Sequence, residues 1–345
     1  MELNIIGNGF DLYHGLPTSY KYYASYLIAH NPESYEQMGE IFNFKTQEYF
    51  RTYPDFEGTY IIDEIFWNDF ENCLGEADPA YFMESIPDDL GLENPDPVNI
   101  IVDKDKYSEL LKRTFDEWLT NTIENDENYQ AVKDSLVNDG GKNKFGFKAD
   151  DLFVTFNYTH ILEKVYNIEE ERILHIHGEC TEDGTLIVGH GNDKIIYQVD
   201  QEIAQLRREF ELSYDQPRLN KINEWEAYRR FLKSLRKDVN IGQAALRRFL
   251  DSYRDASNGI KRINVYGSSL GDIDLPYFEL IESRYPDAYW NFSYNNDGDK
   301  KRIQQATQKL ELRNDHFSSF PMDNQKSKDV MSTIIRMRGI PSYFI

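Results

Sequence analysis

The sequence predicts an α/β protein in which a mainly parallel sheet is interrupted by long helical insertions. Leu3–Ile6 is an apolar run that ends at Gly7-Asn8-Gly9, with helical sequence following from about Ser19. Leu152, Phe153, Val154 and Phe156 form another run, hydrophobic on both faces as in a parallel strand covered by helices on either side. Between the strand segments lie two long tracts, 20–148 and 199–256, that are mostly helical in pattern. Strand, glycine turn and helix in that order open a Rossmann-like dinucleotide-binding unit, where glycines let backbone N–H groups approach a pyrophosphate. The spacing departs from G-x-G-x-x-G, because position 12 is Leu. The expected organisation is one α/β domain over 1–345, with 20–148 a helical insertion and 199–256 a second insertion or lid.

Composition narrows the partners. Apolar residues make up 40% of the 345 and aromatics 14%, enough for a sizeable core. Sixty acidic residues against 38 basic ones give a formal charge of −22, which repels polyanions at long range, so nucleic acid is not an expected partner. Cys73 and Cys180 stand in no C-x-x-C pair and imply neither a cysteine zinc site nor a disulfide framework. No apolar run approaches membrane-spanning length, and no charged-then-apolar leader opens the chain. A soluble, cytoplasmic protein without membrane contact is expected.

Taken in order, the elements read as follows. Tyr22, Tyr23, Tyr26 and Leu27 recur at helical spacing within 20–51 and mark a core-facing stripe. Residues 60–74 read as one helix with Ile62, Phe66, Phe70 and Leu74 inward. Asp69 and Glu71 diverge by about 200° on such a helix, so they do not form a carboxylate pair. Prolines and a glycine make 87–103 an irregular connection, and a helix follows from about Lys104 to Glu124. Residues 151–159 read as a strand that breaks at Asn157, 173–178 as a strand ending in His177-Gly178, and 186–192 as a third ending in Gly189-His190-Gly191. His175 and His177 share a strand face. With His190 they would make a histidine metal site if brought together, but no metal is expected. Arginine pairs such as Arg207-Arg208 and Arg229-Arg230 punctuate the helical tract 199–256. A strand at 261–266 then ends in Gly267-Ser268-Ser269, another covers 289–294 before the loop at Asn295, and a strand or turn with a closing helix follows from about 311.

Gly7-x-Gly9 followed by Gly15-Leu16-Pro17 resembles the first loop of sirtuin-like domains. With Asn8, Phe10-Asp11, His14 and Thr18-Ser19-Tyr20, and with Trp67-x-Asp69-x-Glu71 downstream, the chain resembles the bacterial abortive-infection AbiH family. Thr155-Phe-Asn157 is similar to the T-x-N motif of sirtuin-like domains, Ile176-His177-Gly178 to their L/I-H-G motif, and Gly267-Ser268-Ser269 to their G-[TS]-S strand end. The Ser269-Leu-x-Asp272 extension matches a variant in bacterial defence relatives.

The resemblance implies a sirtuin-like NAD-binding domain serving defence against phage, with NAD as substrate. Water would replace acyl-lysine as nucleophile, because the four-cysteine zinc module of protein-deacylating sirtuins has no counterpart here. Asn157 would position ribose or water and His177 would act as general base. Gly7, Asn8, Gly9, Phe10, Asp11, Pro17, Thr155, Thr159, Gly267, Ser268, Ser269, Asp272 and Asn295 would contact the nucleotide. Sirtuins carry an aspartate on the nicotinamide amide where this chain has Thr159, which leaves Asp11 or a backbone group for that task. The alternative is a sensor that binds NAD, ADP-ribose or a related nucleotide without turnover. An unrestrained NAD hydrolase would harm its host, so gating is expected, by a phage-derived or partner-protein trigger or by homo-oligomerisation.

Overall fold

The structure, a computed structural model, describes residues 1–48, 59–84, 97–138, 145–180, 186–253, 259–322, 330–332 and 334–335. The strands are β1 (Leu3–Ile6), β2 (Gln47–Glu48), β3 (Thr59–Tyr60), β4 (Leu152–Thr155), β5 (Ile173–His175), β6 (Arg262–Tyr266), β7 (Tyr289–Tyr294) and β8 (Phe317–Pro321). Six of them form one sheet in the order β5-β4-β1-β6-β7-β8, every pairing parallel. In chain order these are the third, second, first, fourth, fifth and sixth strands of the sheet, the Rossmann arrangement in which the direction of winding reverses between β1 and β6. Ligands of such sheets bind beyond the carboxyl ends of the strands at that reversal.

The chain divides into two compact units. One comprises Met1–Ser19, Asp116–Ile187 and Asp238–Ile345, and the other Tyr20–Phe115 and Val188–Lys237. The sheet belongs to the first unit, and both of its faces are covered. Leu3, Ile5, Leu152, Val154, Ile263, Val265, Trp290 and Phe292 point into a core completed by the helices Val239–Ser252, Leu275–Arg284 and Asp297–Lys309. Ile6, Phe153 and Tyr266 point into the opposite core, against Tyr129, Val132 and Leu136 of the helix Asp126–Asn138. Two apolar faces explain why the strands read as continuous hydrophobic runs.

The second face also carries a polar ladder that crosses the sheet in register. Asn264 donates to Asn4 at 3.0 Å, Asn291 donates to Asn264 at 2.9 Å, and Ser318 donates to Asn291 at 2.8 Å. Asn4, Asn264, Asn291 and Ser318 are paired residues in successive strands. A slip by one residue would bury these amides without partners, so the ladder fixes the register of β1, β6, β7 and β8.

The second unit is helical with the β2–β3 hairpin. Trp67 is buried and stacks on Phe70 and Tyr35, with Tyr23, Phe44 and Phe66 around it. The expected single helix over 60–74 is two, Glu64–Asn68 and Phe70–Cys73, broken at Asp69. Glu71 pairs at 2.6 Å with Lys237, whose side chain is only 2% exposed. Arg207 pairs with Glu226, Arg229 with Asp200 and Arg236 with Asp193, so these cations serve the unit's own helices. The segment 186–189 is not a strand, and His190 makes a single isolated bridge to Arg236. Gly189 adopts a φ of +153°, and a side chain there would meet the Leu235 carbonyl, so the glycine serves close backbone approach. The expected irregular connection falls partly on 85–96, outside the described residues; from Pro97 the chain is already helical and runs to Trp118. A π-helical turn, Leu119–Ile123, follows.

Candidate functional site

The site grows from two glycine segments at the sheet's reversal point. Gly7 caps a short helix, Asn8–Tyr13, that begins directly after β1, earlier than the helix expected from about Ser19, and Gly267 follows β6. The Gly7 N–H donates to the Tyr266 carbonyl at 2.9 Å and the Gly9 N–H to the Gly267 carbonyl at 2.8 Å. A Cβ on Gly7 would stand 2.6 Å from Ser268 Cα, and one on Gly9 would stand 2.8 Å from Gly267 Cα. Gly267 itself has a φ of +63°, and a side chain there would fall on the Phe10 and Gly9 backbone. Only glycine allows the turns after β1 and β6 to seat against each other this closely. Ser293 Oγ accepts the Gly267 N–H at 2.8 Å, and Asn8 closes the first loop through the Thr18 hydroxyl and, at 3.2 Å, the Thr18 carbonyl. Pro17 is buried within this loop. The Phe10 ring lies in the core against His14, Phe145 and Tyr166, so Phe10 offers the site its backbone.

Side chains enter from the ends of β4 and β5. Thr155 Oγ1 accepts the Asn157 N–H at 3.0 Å, and Asn157 Nδ2 donates to the Gly7 carbonyl at 3.1 Å. That bond fixes the amide's orientation, since a carbonyl only accepts. Asn157 is 5% exposed, so it sits within the packed turn instead of facing solvent, and its Oδ1 is buried with no hydrogen-bond partner. Beside it, Thr159 donates to Asp11 Oδ2 at 2.8 Å, while Asp11 Oδ1 is also buried without a partner. Burial lifts the Asp11 carboxyl to about 7, against the smaller opposing pull of hydrogen bonding from Thr159 and Asn157. Two buried oxygens 146 positions apart in the chain thus have no hydrogen-bond partner on the same polar cluster.

The His177 ring is packed by Phe156 and Tyr158, which flank Asn157 in the chain, and by Tyr277. Its Nε2 lies 3.7 Å from Asp274 Oδ1. Asp274 stands at the N-cap of the helix Leu275–Arg284, yet its side chain makes no capping bond. Sequence reading missed Asp274: its spacing resembles an ordinary helix start, and only the fold brings it to His177. Ser268 Oγ accepts the Leu270 N–H at 3.2 Å, and Ser269 is exposed. Asp272 is exposed and pairs with Lys309 at 2.6 Å, and Asn295 donates its N–H to Asp299 at 2.7 Å.

A second polar cluster adjoins β5. His175 Nδ1 lies 3.2 Å from the Asn157 carbonyl and Nε2 2.9 Å from Glu163 Oε1, with Glu179 Oε2 at 3.8 Å. His160 Nδ1 contacts Glu124 Oε2 at 2.9 Å and its Nε2 contacts Glu179 Oε2 at 3.3 Å. Burial alone would lower His160, but the hydrogen bond and charge of Glu124, with Glu163 and Glu179, overcome it and raise the group to about 9. The π-helical turn presents Glu124, whose N–H bonds back to Leu119. His190 belongs to the other unit; its Nδ1 accepts the Asn192 N–H and its Nε2 faces the Leu232 carbonyl at 2.9 Å, so its ring is used locally.

The family model described as bacteriophage abortive infection AbiH matches residues 3–294. The chain belongs to the AbiH family. Its role is accordingly in abortive infection against bacteriophage. The matched stretch of this AbiH chain includes both glycine turns, Asn157 and His177. A comparison with curated proteins finds no match. No helix among the described residues is long and apolar enough to cross a membrane.

Proposed function

We propose that this AbiH protein hydrolyses NAD to nicotinamide and ADP-ribose as the effector step of abortive infection. The observation that carries the reading is the pair of buried, unpartnered oxygens, Asp11 Oδ1 and Asn157 Oδ1, beside the glycine segments at the sheet's reversal point. A buried polar atom without a partner costs about 1–3 kcal/mol, a penalty relieved when a ligand brings groups that donate or accept. The ribose hydroxyls and carboxamide of NAD supply such groups.

In this reading the pyrophosphate and adjoining ribose lie along the segments after β1 and β6. The Gly7, Gly9 and Gly267 N–H groups there are already bonded to Tyr266, Gly267 and Ser293, so they hold the scaffold in place instead of gripping the ligand, contrary to the expected N–H cradle. Asn157 Oδ1 accepts from a ribose hydroxyl or from the attacking water. Asp11 takes the part that an aspartate plays in sirtuins at the position held here by Thr159, whose hydroxyl already donates to Asp11. Cleavage breaks the bond between ribose C1′ and the nicotinamide nitrogen; the departing ring takes the electron pair and becomes neutral. Water adds its oxygen to C1′, and His177 accepts the released proton, with Asp274 favouring the imidazolium. A gating partner, a phage-derived trigger or self-assembly, would restrain this activity in the resting cell.

The test is nicotinamide release from NAD by the purified full-length chain, followed chromatographically, with NAD binding measured by calorimetry alongside. Release that disappears in Asn157→Ala supports the enzyme. Saturable binding without release supports a nucleotide sensor, and neither binding nor release with or without phage lysate overturns both.

A further inference from the structure

We propose that Glu163, His175 and Glu179 form a binding site for a first-row divalent cation of the Zn²⁺ or Mn²⁺ type. This inference is independent of the NAD reading. His175 Nε2, one oxygen of Glu163 and one of Glu179 all lie within 4.8 Å of one another. Metal–ligand bonds of about 2.0–2.2 Å place donors about 3–3.5 Å apart, so the group closes on a cation with small side-chain adjustments.

The hydrogen-bonding inventory of His175 supports a cation here. Its Nδ1 faces the Asn157 carbonyl at 3.2 Å, which only accepts, so Nδ1 carries the proton. Nε2 then points at carboxylate oxygens, Glu163 at 2.9 Å and Glu179 at 3.8 Å. Either a proton on Nε2 or a cation between the three side chains holds them together, and the two differ in what they do for Glu163. A histidine that anchors one nitrogen on a backbone carbonyl and aims the other at a metal is the usual supporting arrangement in metal sites.

A second observation concerns Glu163. Its Oε2 is buried and has no hydrogen-bond partner, although Oε1 contacts His175. A proton shared between His175 and Glu163 would leave that oxygen unsatisfied. A cation bound through both oxygens would satisfy it. The Glu163 and Glu179 carboxylates balance the charge of a divalent ion, the charged His160 ring being balanced by Glu124, and one imidazole nitrogen with carboxylate oxygens suits Zn²⁺ and Mn²⁺ better than Ca²⁺. Glu179 is 46% exposed and gives an ion a route from solvent, while the His160 ring at 3.3 Å orients its carboxylate. Three protein ligands leave a coordination position for water.

Calorimetric titration of the chelator-treated full-length chain with Zn²⁺, and separately with Mn²⁺, tests the site. Saturable binding of one ion per chain is expected, with affinity reduced at least about tenfold in Glu163→Gln and in Glu179→Gln. Circular dichroism checks that each variant is folded. Glu179 is half exposed, so its variant keeps the test informative should Glu163→Gln unfold. No saturable binding by the wild-type chain, or unchanged affinity in a folded Glu179→Gln, overturns the proposal.

Discussion

The two sides of the sheet's carboxyl edge are built on different physics. At the β1 and β6 ends, backbone meets backbone: Gly7, Gly9 and Gly267 leave no room for a Cβ, and the two turns exchange main-chain hydrogen bonds. At the β4 and β5 ends, the contacts are polar side chains, and several are incompletely satisfied. Asn157 Oδ1 and Glu163 Oε2, and Asp11 Oδ1 which joins Thr159 from the helix after β1, are all buried without a hydrogen-bond partner. The first side is a steric solution, complete in itself. The second is an electrostatic arrangement that holds free energy in reserve for something to bind. A scaffold that presents a ligand needs both: rigid main chain to set position, and unsatisfied groups to supply recognition.

The largest effect should come from breaking the steric side. Gly267→Val forces a β-branched residue to a φ of +63° and onto the Phe10 backbone, and should cost about 2–5 kcal/mol of stability. A urea midpoint unmoved from wild type would show that the two turns do not depend on close approach. Asn157→Ala, on the polar side, should reduce nicotinamide release to background. It should also cost about 1–3 kcal/mol by leaving the Gly7 carbonyl without its donor, so folding and NAD binding must be measured with the rate. Next, His177→Gln should lower the rate about 10²-fold with little change in NAD affinity, the scale for loss of a general base. His175→Gln should cost less in rate, and equal losses at both would assign the chemistry to the β5 cluster.

The smallest effect sharpens the comparison through pH. Asp11 is raised from 3.8 to about 7, chiefly by burial, so the folded state keeps a proton that the unfolded chain releases. Stability therefore falls as pH rises from about 4 to about 7, because the folded state binds more protons across that window. Asp11→Asn should flatten this part of the profile. Urea midpoints at about pH 5 and about pH 8, compared between wild type and variant, read it directly; parallel profiles would mean that Asp11 is already ionised in the fold.

Much of the scaffold was legible residue by residue. Leu3–Ile6, Leu152–Thr155 and Arg262–Tyr266 announce themselves as strands because a strand covered on both faces must be apolar on both, and each stops at glycine or Asn157. The segment 186–192 shows the opposite case. Leu186-Ile-Val before Gly-His-Gly has the composition of a strand end, but Gly189 is spent on close approach to Leu235 and His190 on local backbone contacts. Asp69 likewise breaks a helix that periodicity alone would continue. Local pattern registers burial and turn chemistry, and cannot tell which neighbour a turn will meet.

By itself, then, the sequence determined the parallel sheet, its glycines and the position of Asn157 just past a strand end, because each follows from short-range periodicity and the steric freedom of glycine. The strand expected through His177 stops at His175, so the two histidines do not share a strand face. Tertiary structure alone decided the partners: Thr159 with Asp11 across 148 positions, His177 with Asp274 across 97, and His175 with Glu163 and Glu179. Those pairings depend on which loops the sheet order brings to one edge, and on which carboxylates burial strips of water; neither quantity is a property of any stretch of chain taken alone.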